Sequence, residues 1–102
     1  MKAVIIGSGI AGLASAIRLA KQGYYTEVFE CNAFVGGKLS EFKLNGFRFD
    51  RGPSLFTMPK LIEELFELCG LDPQKEFPYI KLHESCRYFY NDGKVFKAYN
   101  DQ

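Results

Sequence analysis

The sequence predicts an α/β fold that opens on a strand–helix–strand unit and continues through a β-hairpin, a helix and a second hairpin. Three observations carry this. An apolar run, Ala3-Val4-Ile5-Ile6, leads directly into three glycines at the spacing G-x-G-x-x-G: Gly7, Gly9 and Gly12. A helical period follows to about Gln22 and stops at Gly23. A second strand-forming run, Tyr25 to Phe29, ends on an acid, Glu30.

Each residue type has a physical reason to stand where it does. Gly7 lets the chain turn sharply out of the first strand. Gly9 has no side chain, so a pyrophosphate can come close to the backbone, and Gly12 lets the helix lie on the strand. The free N–H groups of the first helical turn then face the phosphates, together with the positive end of the helix dipole. Glu30 lies eighteen positions after Gly12. A carboxylate there accepts both hydroxyls of an adenosine ribose and repels a 2′-phosphate, which suits FAD or NAD better than NADP. A Gly-rich turn in an ordinary α/β domain is the plainer reading, and the flanking strand, helix and acid argue against it. A secretory signal is opposed by the three glycines, Arg18 and Lys21.

At 102 residues the chain is one small domain at most. Thirteen basic and 12 acidic residues are spread evenly, giving a net charge of +1, so no nucleic-acid partner is expected. Cys31, Cys69 and Cys86 are odd in number and form no C-x-x-C, which reads as reduced thiols in a cytoplasmic protein. No apolar stretch is long enough to span a bilayer, and peripheral membrane contact is compatible with that.

Further along, Ile10, Leu13, Ala14 and Ile17 make one apolar face on the first helix. Gly36-Gly37-Lys38 is either a second close backbone approach with a cation beside it or a flexible turn with a solvated lysine. Leu39–Leu44, Asn45-Gly46 and Phe47–Phe49 read as a hairpin with a type I′ turn. Phe42, Leu44, Phe47 and Phe49 alternate with polar residues, as in a half-buried hairpin. Phe49-Asp50-Arg51-Gly52-Pro53 is expected to break the strand. Ser54 or Thr57 is a candidate cap for the next helix, with Pro59 in its first turn. Leu61, Ile62, Leu65, Phe66 and Leu68 stripe that helix, and Gly70 stops it. Asp72 to Pro78 reads as a polar connector and Tyr79–Leu82 as a strand. A second hairpin is expected from Arg87–Tyr90 and Val95–Ala98 around Asn91-Asp92-Gly93. His83, Glu84 and Cys86 are too few for a metal site, and none is expected.

The parallel sheet is incomplete. Two parallel strands and one covering helix leave both edges open, which folded proteins avoid. The chain is therefore expected to be the N-terminal part of a larger protein. At this length alone its sheet edges should be covered by another copy, another chain or a swapped element, so self-association is expected.

Three runs carry a resemblance: G-S-G-I-A-G-L, E-C-N-A-F-V-G-G-K, and F-D-R-G-P-S-L-F-T-M-P. Together they resemble the N-terminus of phytoene-desaturase-like flavoproteins, the carotenoid desaturases and isomerases within the flavin amine oxidase group. The third run is the most specific to the carotenoid branch. The resemblance implies a Rossmann-like FAD-binding domain beginning in residues 1–75 and the truncated start of a substrate domain in residues 76–102. It implies that Gly7, Ser8, Gly9, Ala11 and Gly12 wrap the FAD pyrophosphate and that Glu30 holds the adenosine ribose. Gly37 and Lys38 would sit by the phosphates and ribityl chain, and Gly52, Pro53 and Ser54 near the flavin. Many relatives carry arginine where Lys38 stands, so a bidentate phosphate contact is lost while the charge is kept. Cys31 stands where a basic residue is common.

The implied activity is hydride transfer from an apolar polyene or isoprenoid to FAD, with reoxidation by a quinone or oxygen. No nucleophile–base pair or carboxylate dyad is present to propose as catalytic, and this piece alone is expected to be inactive. Other members of the same superfamily act on amines, porphyrinogens or retinoids. An NAD-dependent dehydrogenase is opposed by Gly36-Gly37-Lys38 and the hairpin that replaces a further strand–helix repeat. A cofactor-free interaction module is the alternative from a different class.

Overall fold

The computed structural model describes residues 1–53 and 55–100. It opens on β1 (Lys2–Ile6), α1 (Ile10–Lys21) and β2 (Tyr25–Phe29). β1 and β2 pair in parallel, from Lys2 opposite Tyr25 to Ile6 opposite Phe29. Lys2 Nζ and Glu27 Oε2 lie 2.9 Å apart across the pair. α1 packs on the face of this sheet that carries the half-buried Ala3 and Ile5. Val4 and Ile6 point to the other face and are exposed. The helix ends as the sequence predicts: Gly23 takes φ +88°, its N–H donates to Ala20 O and that of Tyr24 to Leu19 O. These two bonds form a Schellman motif, satisfying carbonyls that the helix leaves without partners.

The first hairpin joins β3 (Glu41–Leu44) to β4 (Phe47–Asp50). Asn45 at φ +50° and Gly46 at φ +82° supply the two left-handed residues a type I′ turn needs. Phe42 stacks on Phe49 with ring centroids 5.1 Å apart, and Leu44 stands opposite Phe47 on the same face. Arg48 is on the other face, with Glu41 at 3.1 Å and Asp50 at 3.8 Å.

α2 (Pro59–Leu68) has Met58 as its N-cap, and no side chain caps it. Thr57 therefore does not act as a cap, and Ser54 lies outside the described residues. Pro59 at the first position needs no N–H partner, so the helix starts without one. Gly70 at φ +78° closes a second Schellman motif, with Leu71 N–H donating to Phe66 O. The expected connector contains a short helix, α3 (Pro73–Glu76), whose N-cap Asp72 accepts from the Gln74 N–H at 3.0 Å. Phe77 and Tyr79 fold back on Phe56 and Phe66, and the Tyr79 hydroxyl donates to Glu63 Oε1 at 2.7 Å.

Tyr79–Leu82 forms no strand, because its backbone has no strand beside it to pair with. The second hairpin joins β5 (Glu84–Phe89), which starts three residues earlier than expected, to β6 (Val95–Tyr99). The early start carries a register shift between Glu84 and Cys86. The Ser85 hydroxyl donates to Ala98 O at 3.1 Å there.

Among the described residues the strands make three separate two-stranded sheets. Among these residues the two hairpins pack on no other helix or strand. The radius of gyration is 18.0 Å, against about 13 Å for a compact chain of this size. Leu65 on α2 is the one buried apolar side chain among the described residues. The predicted α/β class with an incomplete sheet is thus the observed one.

Candidate nucleotide-binding site

The glycines bring three separate segments together at the C-terminal end of β1. Gly7 leaves the strand at φ +94°, and its N–H donates to Phe29 O at 2.7 Å. A Cβ on Gly12 would run into the carbonyl oxygen of Gly7, so only glycine lets α1 sit this close to the turn. Gly9 is the N-cap of α1; it has no side chain to accept from the first-turn N–H groups, and no acid lies in the first turn. The N–H groups of Ile10, Ala11 and Gly12 precede the first intrahelical bond, from Leu13 N–H to Gly9 O at 2.9 Å. They present an uncompensated positive helix end.

The second glycine pair closes on the first. The Gly36 N–H donates to Ser8 O at 2.9 Å, and Gly9 and Gly36 form a parallel bridge. A Cβ on Gly37 would meet the Cα of Gly9 at 3.1 Å, and one on Gly36 would meet Leu39 O at 2.7 Å. Both glycines have positive φ, +106° and +61°. The Gly36-Gly37 pair is thus a close backbone contact with Gly9. The third segment joins here too, because a Cβ on Gly52 would strike the carbonyl of Lys38. Lys38 is exposed beside this contact. Pro53 and Gly52, with Phe34, Val35 and Leu39, line an adjoining cavity of about 490 Å³. Ser54 lies outside the described residues.

Glu30 links the end of β2 to the glycine turn. Its Oε2 accepts the Ser8 N–H and the Ser8 hydroxyl, both at 2.8 Å. Its Oε1 accepts the Asn32 N–H at 2.9 Å and the Asn32 side-chain amide at 2.7 Å. Ser8 is 2% exposed, whereas Asn32 is open to solvent. The Ser8 and Asn32 backbone donors, followed by their side chains, hold the Glu30 carboxyl far below its ordinary value of 4.5. It is therefore ionised at neutral pH.

Asn32 is the residue that reading the sequence missed. Asparagine two positions after an acid is a recognisable local hydrogen-bonding signal, but nothing in the sequence says which oxygen it reaches. A larger groove, about 1020 Å³, lies away from the glycines between α2 and β5–β6, with Phe56, Glu63, Tyr79, Ile80 and Tyr88 on its walls.

Residues 5–69 match the NAD(P)-binding Rossmann-like domain family. The chain belongs to that family. A dinucleotide cofactor goes with this membership, and the matched segment contains the glycine turn, the bare helix end and Glu30. The chain is 57% identical to a 1-hydroxycarotenoid 3,4-desaturase of Flavobacterium over 95% of its own length and 20% of the relative's. It is 41% identical to a 4,4′-diapophytoene desaturase of Staphylococcus aureus over 89% of its length and 17% of the relative's. It thus spans about a fifth of the length of these curated relatives. A solved structure from Pyrococcus furiosus shares the fold, with a TM-score of 0.62 and 24% identity over 94% of this chain and 24% of that one. Among the described residues no helix is long and apolar enough to cross a membrane.

Proposed function

We propose that this chain is the FAD-binding portion of a flavin-dependent oxidoreductase of the carotenoid-desaturase type. The observation that carries the reading is the Gly36-Gly37 loop seated on Gly9 immediately after the ribose acid. A Rossmann-like domain for NAD alone would begin another strand–helix repeat at that point. The 57% identity to a carotenoid desaturase supports the substrate class, an apolar polyene.

In this reading Gly7, Ser8, Gly9, Ala11 and Gly12 bring backbone N–H groups and the helix dipole to the pyrophosphate. Glu30 accepts the ribose hydroxyls. Gly37 and Lys38 bring a second backbone approach and a cation to the phosphates and ribityl chain. Gly52, Pro53 and Ser54 lie toward the flavin. Bound FAD supplies the hydride acceptor, and the protein's part is to bind and orient. Residues 1–75 belong to the cofactor domain and residues 76–102 to the start of the substrate domain. The reduced thiols of Cys31, Cys69 and Cys86 support a cytoplasmic setting, with peripheral membrane contact as the route to apolar substrate.

The test is the absorbance of the isolated protein in the flavin bands, followed by identification of the cofactor released on denaturation. Release of FAD is the expected outcome, with polyene oxidation and flavin reduction read on the longer protein that carries this segment, since this piece alone is expected to be inactive. Released NAD, or a colourless protein whose melting FAD does not move, would overturn it.

A second reading rests on the exposed apolar faces of β3–β4 and of the β1–β2 sheet. In it the chain is a cofactor-free interaction module that associates through those surfaces and its open strand edges. The colourless outcome above, with concentration-dependent light scattering, favours this second reading.

A further inference from the structure

Glu30 is saturated. A carboxylate offers about four lone-pair positions, two on each oxygen. All four are taken: Ser8 N–H and hydroxyl on Oε2, Asn32 N–H and side-chain amide on Oε1. The Cys31 thiol adds a long contact to Oε1 at 3.5 Å. A ribose diol brings two further donors, so at least one present donor must leave when it binds. The backbone donors cannot leave without moving the glycine turn or the loop after β2. Of the three side-chain donors, Ser8 is buried within the turn, the Cys31 thiol is weak and long, and the exposed Asn32 amide is the strong donor that can swing away.

We propose that Asn32 is a specificity-determining residue whose side-chain amide occupies, on Glu30 Oε1, the place that one ribose hydroxyl of a dinucleotide takes. It is a placeholder that keeps the carboxylate oriented until a neutral hydroxyl replaces it. Ser8 is its opposite: a fixed donor that stays on Oε2 and holds the carboxylate against the turn. This inference rests on the dinucleotide reading above and deepens it.

The two donors then differ in the sign of their effect. Removing a donor that must be displaced removes a competitor, whereas removing a donor that stays loosens the acceptor. The experiment measures ADP and inorganic pyrophosphate binding by equilibrium dialysis, on the flavin-stripped protein. Asn32→Ala is expected to tighten ADP by about fivefold, the scale of one modest hydrogen bond. Ser8→Ala is expected to weaken ADP, and Glu30→Gln to weaken it further. Pyrophosphate, which has no ribose, should bind the wild type and Asn32→Ala alike.

Weaker or unchanged ADP binding in Asn32→Ala overturns the placeholder role while leaving the nucleotide reading intact, provided Glu30→Gln still loses affinity. A change in pyrophosphate binding equal to the change in ADP also overturns it, because the effect would then not pass through the ribose. Wild-type protein that binds neither ADP nor FAD overturns the nucleotide reading itself. Circular dichroism of each variant shows whether a lost affinity is a lost fold.

Discussion

Gly37 lies against Gly9 so closely that a methyl group on it would come within 3.1 Å of the Gly9 Cα. Gly37 also sits at φ +61°, where a side chain costs about 1 kcal/mol in its own right. Gly37→Ala should therefore both strain the loop and push it off the glycine turn. The expected result is a loss of roughly 1–3 kcal/mol of stability, by the usual cost of overpacking, and a clear drop in dinucleotide affinity. Thermal melting and FAD titration check the two effects together; wild-type affinity in this variant would disconnect the second glycine pair from the site.

Gly12 and Gly46 make a controlled contrast. An alanine at Gly12 drives its Cβ into the Gly7 carbonyl, whereas an alanine at Gly46 enters open space at φ +82°. Gly46→Ala should cost only the strain of the left-handed backbone, about 1 kcal/mol. Gly12→Ala should cost more, about 3 kcal/mol, and should abolish cofactor binding. Urea denaturation with equal slopes in both variants would give the comparison; equal losses would contradict it.

The pH dependence of Glu30 has a definite sign. Its folded carboxyl is depressed below 4.5 by the donors from Ser8 and Asn32. A depressed group contributes stability above its unfolded pKa and loses that contribution as pH falls toward the folded value. The difference in melting temperature between wild type and Glu30→Gln should thus be full at pH 7 and begin to shrink below about pH 4.5. Between pH 5 and 8 the contribution of Glu30 to ADP binding should stay flat. A difference that grows on acidification would contradict the assignment of the four donors.

The hairpin β3–β4 has an apolar face, Phe42, Leu44, Phe47 and Phe49, with each side chain at least 40% exposed. If this chain self-associates, that face is a natural seat for contact. The double change Phe42→Lys with Phe49→Lys should lower the weight-average mass in light scattering without changing ADP affinity. An unchanged mass would place the association elsewhere, at the strand edges of β1 and β2 for example.

Much of this was legible in the sequence because local chemistry decides it. Gly23, Gly46 and Gly70 each sit at positive φ where the pattern asks for a left-handed residue, so the ends of both long helices and the first hairpin follow directly. The α3 turn was missed although Asp72-Pro73 carries both a cap and a first-turn proline, because four residues are too short to show a helical period. Tyr79–Leu82 has strand-like composition but no partner, and pairing is a tertiary matter. The same limit applied to the site. The glycines and Glu30 could be picked out by type and spacing. That Ser8 meets Glu30 from 22 residues away, and that Asn32 shares its carboxylate, depends on how β1, β2 and the following loop come together.

Among the described residues neither hairpin packs on another helix or strand, and this has a consequence for inheritance of change. Each hairpin keeps its own ladder and turn, and the glycine cradle keeps its own. Among the described residues no helix or strand packs between β5–β6 and the cradle, so a substitution there has no packed element through which to disturb Gly9, Gly37 or Glu30. The nucleotide end is insulated, so the second hairpin is free to be recast for a different neighbour while the cradle stays the same.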